Sequence, residues 1–126
     1  MNTKVINSQK APAAVGPYSQ AVQAGDFIFV SGQLPVDPVT GNFPSDDIRE
    51  LTVQSMKNLG EILKEAGSSY SKILKTTIYL SDIKDFSAVN EVYATFFDGV
   101  FPARSCFEVS ALPKGAKIEI EAVAVR

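Results

Sequence analysis

Histidine and tryptophan are missing from this chain of 126 residues, cysteine occurs once, and arginine stands at only three positions. Without histidine the chain lacks the commonest general base near neutral pH and the commonest metal ligand. Ser-His-Asp and Cys-His catalysis are excluded in their usual forms, and a lone cysteine cannot complete a zinc site of the ordinary type. Nor can it close an intrachain disulfide, which fits a reducing compartment. No lysine or arginine run occurs and the net charge is −2, so a nucleic-acid backbone, which needs clustered cations, is not an expected partner. No apolar run approaches the ~20 residues of a membrane span. Residues Met1 to Asn7 carry neither a signal core nor an arginine-rich amphipathic stretch. A cytoplasmic protein is the expectation.

What remains is an ordinary globular composition, 45% hydrophobic and 21% charged, in a length suited to one domain, residues 1–126. Ala21–Ala24 and Phe27–Ser31 flank Gly25-Asp26 and read as a two-residue hairpin. A loop marked by Gly32, Pro35, Pro38, Gly41 and Pro44 follows. Ser45 or Asp46 can cap a helix running to about Ala66, with Ile48, Leu51, Leu59, Ile62 and Leu63 on one face and Gly67 as the stop. A strand is expected over Lys72–Leu80, then a second helix from Asp82 or Asp85 to Gly99 carrying Phe86, Val89, Val92, Tyr93, Phe96 and Phe97. Two closing strands, near Arg104–Val109 and Lys117–Val125, read as an antiparallel pair. The order ββαβαββ predicts an α/β sandwich, both helices covering one face of a single sheet. In the last strand Ile118, Ile120, Ala122 and Ala124 point one way, and Glu119, Glu121, Val123 and Val125 the other. The second sheet face is therefore left apolar and uncovered, and oligomerisation is expected to cover it.

Arg104 lies alone in the apolar run Val100–Phe107. A guanidinium there needs an anion, either a ligand carboxylate or phosphate or an internal glutamate such as Glu108 or Glu121. Glu119 and Glu121 share a strand face, and a carboxylate is the remaining plausible base type; both also read as edge charges that discourage aggregation. Tyr18 follows the bend Gly16-Pro17, Ser31 ends an apolar strand, Asn90 precedes Tyr93 by one helical turn, and Cys106 shares the strand face of Arg104.

Five blocks stand in order: Gly16-Pro17-Tyr18-Ser19-Gln20-Ala21, Val30-Ser31-Gly32-Gln33, Val89-Asn90-Glu91-Val92-Tyr93, Phe101-Pro102-Ala103-Arg104-Ser105-Cys106, and Leu112 through Ala122. Together they resemble the RidA/YjgF family of reactive-intermediate deaminases over nearly the whole chain. The resemblance implies a chorismate-mutase-like fold closed into a homotrimeric barrel, with ligand pockets between subunits and no metal or organic cofactor. It implies hydrolysis of enamines and imines, such as 2-iminobutanoate and 2-iminopropanoate, to 2-oxo acids and ammonia. Arg104 would clamp the substrate carboxylate and Glu119 would hold or activate water. Tyr18, Ser31 and Asn90 would line the pocket, and Cys106 would form its wall, its main chain near the imine end. A non-catalytic trimer that senses 2-oxo acids uses the same residues. A ribonuclease or translation inhibitor fits poorly, for want of a histidine and a cationic track.

Overall fold

The computed structural model describes residues 2–126, and its strands form one six-stranded sheet. The strands are β1 (Thr3–Ile6), β2 (Ala21–Ala24), β3 (Phe27–Gln33), β4 (Ile73–Leu80), β5 (Ala103–Glu108) and β6 (Ile118–Val125). Helix α1 spans Ile48–Glu65 and α2 spans Phe86–Ala94. The spatial order is β1-β2-β3-β6-β4-β5. All neighbours are antiparallel except β4 and β5. Among the described residues no helix is long and apolar enough to cross a membrane.

Two expectations change here. The edge strand β1, unmarked by any clear sequence signal, pairs with β2. The closing strands do not form a hairpin: β5 runs parallel to β4, and β6 inserts between β3 and β4. Helix α2 is the reason for the first half, because a helical crossover returns the chain parallel to the strand it left. The reason for the second is burial. Ile118, Ile120, Ala122 and Ala124 are at most 4% exposed, and a strand so deeply covered belongs at the sheet centre.

Local chemistry sets the helix ends. The α1 cap is Asp47 rather than Ser45 or Asp46; its carboxylate accepts the Arg49 N–H at 2.9 Å. Ser45 instead bonds Glu50. At the other end Gly67 takes φ 78°, and Ser68 N–H reaches back to Leu63 C=O at 2.8 Å, satisfying carbonyls the helix leaves open. Between these ends Leu51, Met56, Leu59, Ile62 and Leu63 are buried against the sheet, each contributing roughly 1.5–3 kcal/mol. Helix α2 stops at Ala94, short of the expected Gly99; Phe96 and Phe97 follow in turns and complete an aromatic cluster with Tyr70 and Tyr93.

The opposite sheet face is bare, as the alternation in β6 predicts. Phe27, Phe29 and Phe107 are about half exposed on it, and Val123 and Val125 lie opposite Phe29 and Phe27.

Candidate functional site

The sheet register sorts the predicted residues into two groups. Arg104 lies opposite Thr76, and Thr76 opposite Ala122. All three therefore face the helices. Glu119, on the same strand as Ala122, alternates with the buried Ile118 and Ile120 and so faces the other way. Within one chain Arg104 and Glu119 are on opposite sides of the sheet.

The first group is built on β5 and α2. The Arg104 guanidinium stands 5.3 Å from the ring centre of Phe86 and 5.4 Å from that of Tyr93. Its Nη1 donates to Asn90 Oδ1 at 2.5 Å. Asn90 is neutral, so the cation is held in place without being neutralised. Both internal alternatives are occupied elsewhere: Glu121 accepts from Tyr79, and Glu108 accepts the Ile83 N–H. Among the described residues the single salt bridge is Arg49–Glu91. The apolar run around Arg104 is not a buried strand, however. Val100 is 86% exposed, Phe101 55%, and Arg104 itself is exposed, because β5 is the sheet edge. With Asn90, Tyr93, Phe101 and Pro102, Arg104 lines a hollow of about 380 Å³. Cys106 shares the Arg104 face but packs half-buried against the core. Burial raises its thiol pKa and the nearby Arg104 charge opposes that only in part, which leaves it a poor nucleophile.

The second group surrounds a cavity of about 600 Å³ lined by Tyr18, Ser31, Gly32, Lys114 and Glu119, among others. The segment before β2 is pinned from beneath by Gln20, which is 2% exposed. Its amide donates to the Ser8 and Pro12 carbonyls and its carbonyl accepts the Ser8 N–H. Gly16 takes φ 130° and its carbonyl accepts the Tyr18 N–H, a tight bend that leaves the Tyr18 ring half exposed at the cavity. The register of β3 slips between Val30 and Gln33, a bulge that carries Ser31 and Gly32. Ser31 Oγ donates to the Ser19 carbonyl at 2.6 Å. Its proton is committed, so toward a ligand the hydroxyl can only accept.

Glu119 leans over Gly32 so closely that a Cβ there would stand 2.6 Å from Oε2. Burial, then the charge of Glu121, raises the Glu119 carboxyl above its ordinary range. A carboxylate so placed is a better proton acceptor than an exposed one. Among the described residues no three carboxylate or thiolate side chains converge as a metal cluster.

Sequence reasoning missed the supports: Gly32, which makes room for Glu119, Gln20, which pins the loop, and Phe86 and Tyr93, whose rings both lie against the cation. Tyr93 is at the same time a core residue, 3% exposed and bonded to Thr76; its ring serves Arg104 as well.

Comparison with known proteins shows the family. The family model described as Endoribonuclease L-PSP matches residues 8–126. A 2-iminobutanoate/2-iminopropanoate deaminase of Mus musculus is 51% identical over 98% of this chain and 91% of its own length. The crystal structure of the YjgF gene product from E. coli superposes with a TM-score of 0.94 at 48% identity, covering 98% of both chains. That of E. coli TdcF with bound serine gives 0.94 at 46%, again over 98% of both. With the family model matching residues 8–126 and relatives about half identical over nearly the whole length, the chain belongs to the RidA/YjgF family, the Endoribonuclease L-PSP group of the matching model.

Proposed function

We propose that this protein is an imine deaminase that hydrolyses 2-iminobutanoate and 2-iminopropanoate to the corresponding 2-oxo acids and ammonia. The observation that carries this reading is Arg104: a guanidinium fixed by a neutral amide and two aromatic rings, with no carboxylate among the described residues paired to it. A fork so prepared binds a planar carboxylate through two parallel hydrogen bonds. Relatives at about half identity named for this reaction support it, as does serine, itself an α-carboxylate, bound in a relative.

Because Arg104 and Glu119 face opposite ways in one chain, a complete site takes Arg104, Asn90 and the Cys106 main chain from one copy and Tyr18, Ser31 and Glu119 from the next. The bare sheet face, with Phe27, Phe29 and Phe107, is the surface through which copies assemble, and a closed trimer with three such sites is the arrangement we favour. Arg104 holds the carboxylate of the protonated imine, leaving C2 open to a water held by Glu119. The water oxygen bonds to C2, the C=N electron pair moves to nitrogen, and Glu119 takes a proton from the water. Glu119 returns that proton to nitrogen, the C–N bond breaks with its pair leaving as ammonia, and the remaining hydroxyl proton passes to the ammonia. Protonated imines are already electrophilic, so positioning supplies most of the several kcal/mol required.

The test is a coupled assay in which a serine or threonine dehydratase generates the imine and 2-oxo acid appearance is followed. The parent protein accelerates it; Arg104→Ala returns the rate to that of the dehydratase alone. An Arg104→Ala variant as fast as the parent refutes the reading.

A further inference from the structure

Two carboxylates project from the same face of β6, two residues apart, and their spacing alone does not say which of them meets the water. Their surroundings differ. Glu121 Oε1 accepts a hydrogen bond of 2.6 Å from the Tyr79 phenol on β4. In the register Tyr79 stands directly across from Glu119, and Thr77 across from Glu121, so the phenol reaches past its nearest carboxylate to the next. Glu119 has no side-chain hydrogen bond among the described residues; it folds over Gly32 and lines the cavity, which Glu121 does not.

We propose that Tyr79 and Glu121 are positioning residues for the deamination: the phenol clamps Glu121 outside the cavity as a fixed negative charge, so that Glu119 alone offers a carboxylate to the water. This rests on the role given to Glu119 above. The Tyr79 phenol is suited to permanent donation. Its pKa is pushed up to about 12 by the bond to Glu121 first, then by burial and by the two carboxylate charges. That bond holds the Glu121 carboxylate against β4, and its charge opposes ionisation of Glu119 two residues away. The other titratable groups around Glu119 are Tyr18, on the loop before β2, and Lys114, on the turn before β6. Both stay unchanged in the variants below.

The experiment is the pH–rate profile of the coupled assay, with dehydratase in excess, for the parent, Glu121→Gln, Tyr79→Phe, the double variant and Glu119→Gln. Removing the Glu121 charge lets Glu119 ionise at lower pH, so the acidic limb of Glu121→Gln moves to lower pH while KM is unchanged. Tyr79→Phe frees the Glu121 charge to approach Glu119, so its limb moves to higher pH, and the substitution adds nothing once Glu121 is already Gln. Glu119→Gln loses about 100-fold or more across the range. Thermal melts and assembly size confirm folding, and if one single variant does not fold, the other carries the same test. An acidic limb that stays in place in Glu121→Gln and Tyr79→Phe overturns the proposal while leaving the deaminase reading intact. A Tyr79→Phe effect of equal size in the Glu121→Gln background overturns it too. A Glu119→Gln protein as active as the parent removes both this proposal and the role of Glu119.

Discussion

Arg104 and Glu119 carry opposite demands, and the fold meets them differently. The arginine is exposed and rigid, its plane set by Phe86, Tyr93 and Asn90. What it offers a carboxylate is a fork and not merely a charge. Arg104→Lys keeps the charge and loses one of two charge-assisted bonds, about 1.5–3 kcal/mol; kcat/KM in the coupled assay falls roughly 10- to 100-fold. Glu119 is half-buried and held above its usual pKa by burial and by Glu121, which means the fold disfavours its ionised form. A raised carboxyl pKa adds stability at low pH that is lost as pH climbs through the carboxylate range into the shifted value. Glu119→Gln therefore melts above the parent at neutral pH, and the difference shrinks as the buffer is made acidic enough to protonate Glu119. Melting curves at neutral and acid pH check this; a difference that grows toward acid contradicts it.

At the level of elements, α1 shows how a rule of propensity yields to packing. Gly60 sits in the helix interior, where replacing glycine by alanine ordinarily gains up to about 1 kcal/mol. Here the Tyr70 phenol crosses the helix and donates to the Met56 carbonyl at 2.6 Å. A Cβ at position 60 would lie 2.1 Å from the Tyr70 phenol oxygen. Gly60→Ala is expected to destabilise by about 1–3 kcal/mol, seen as a lower Tm with activity per folded molecule retained. The same phenol packs edge-on to Phe96 and Phe97, tying α1 to the segment that follows α2 and hence to the approach to Arg104. Strand β6 is the other telling element. Its inner residues fill the core and its outer glutamates face the opposite side, so one strand both holds the sheet together and presents Glu119.

For the whole molecule the decisive fact is that the sheet puts Arg104 and Glu119 on opposite faces. If both serve one reaction, as proposed above, the site is shared between copies. Mixing inactive Arg104→Ala and Glu119→Gln proteins and letting subunits exchange should restore activity. With random exchange, about one site in four takes an intact arginine from one copy and an intact glutamate from another. Recovery near a quarter of the parent rate in the coupled assay, with none before exchange, is the expected result. No recovery after verified exchange contradicts a shared site.

Much was legible along the chain because it follows from local chemistry. The lack of histidine narrowed the available bases to carboxylates, the period of α1 and the alternation in β6 marked the core and the bare face, and Gly25-Asp26 and Gly67 placed a turn and a helix end. The resemblance to a deaminase family supplied roles that spacing could not. Strand neighbours were not legible, since a strand carries the same alternation whether it pairs with the next segment or a distant one; β5 joined β4 because α2 brought it back parallel. The sequence by itself determined which side chains could bind and which could accept a proton. Only the tertiary structure decided that these lie on opposite faces of one sheet, because face is a property of register, and register is set by long-range pairing.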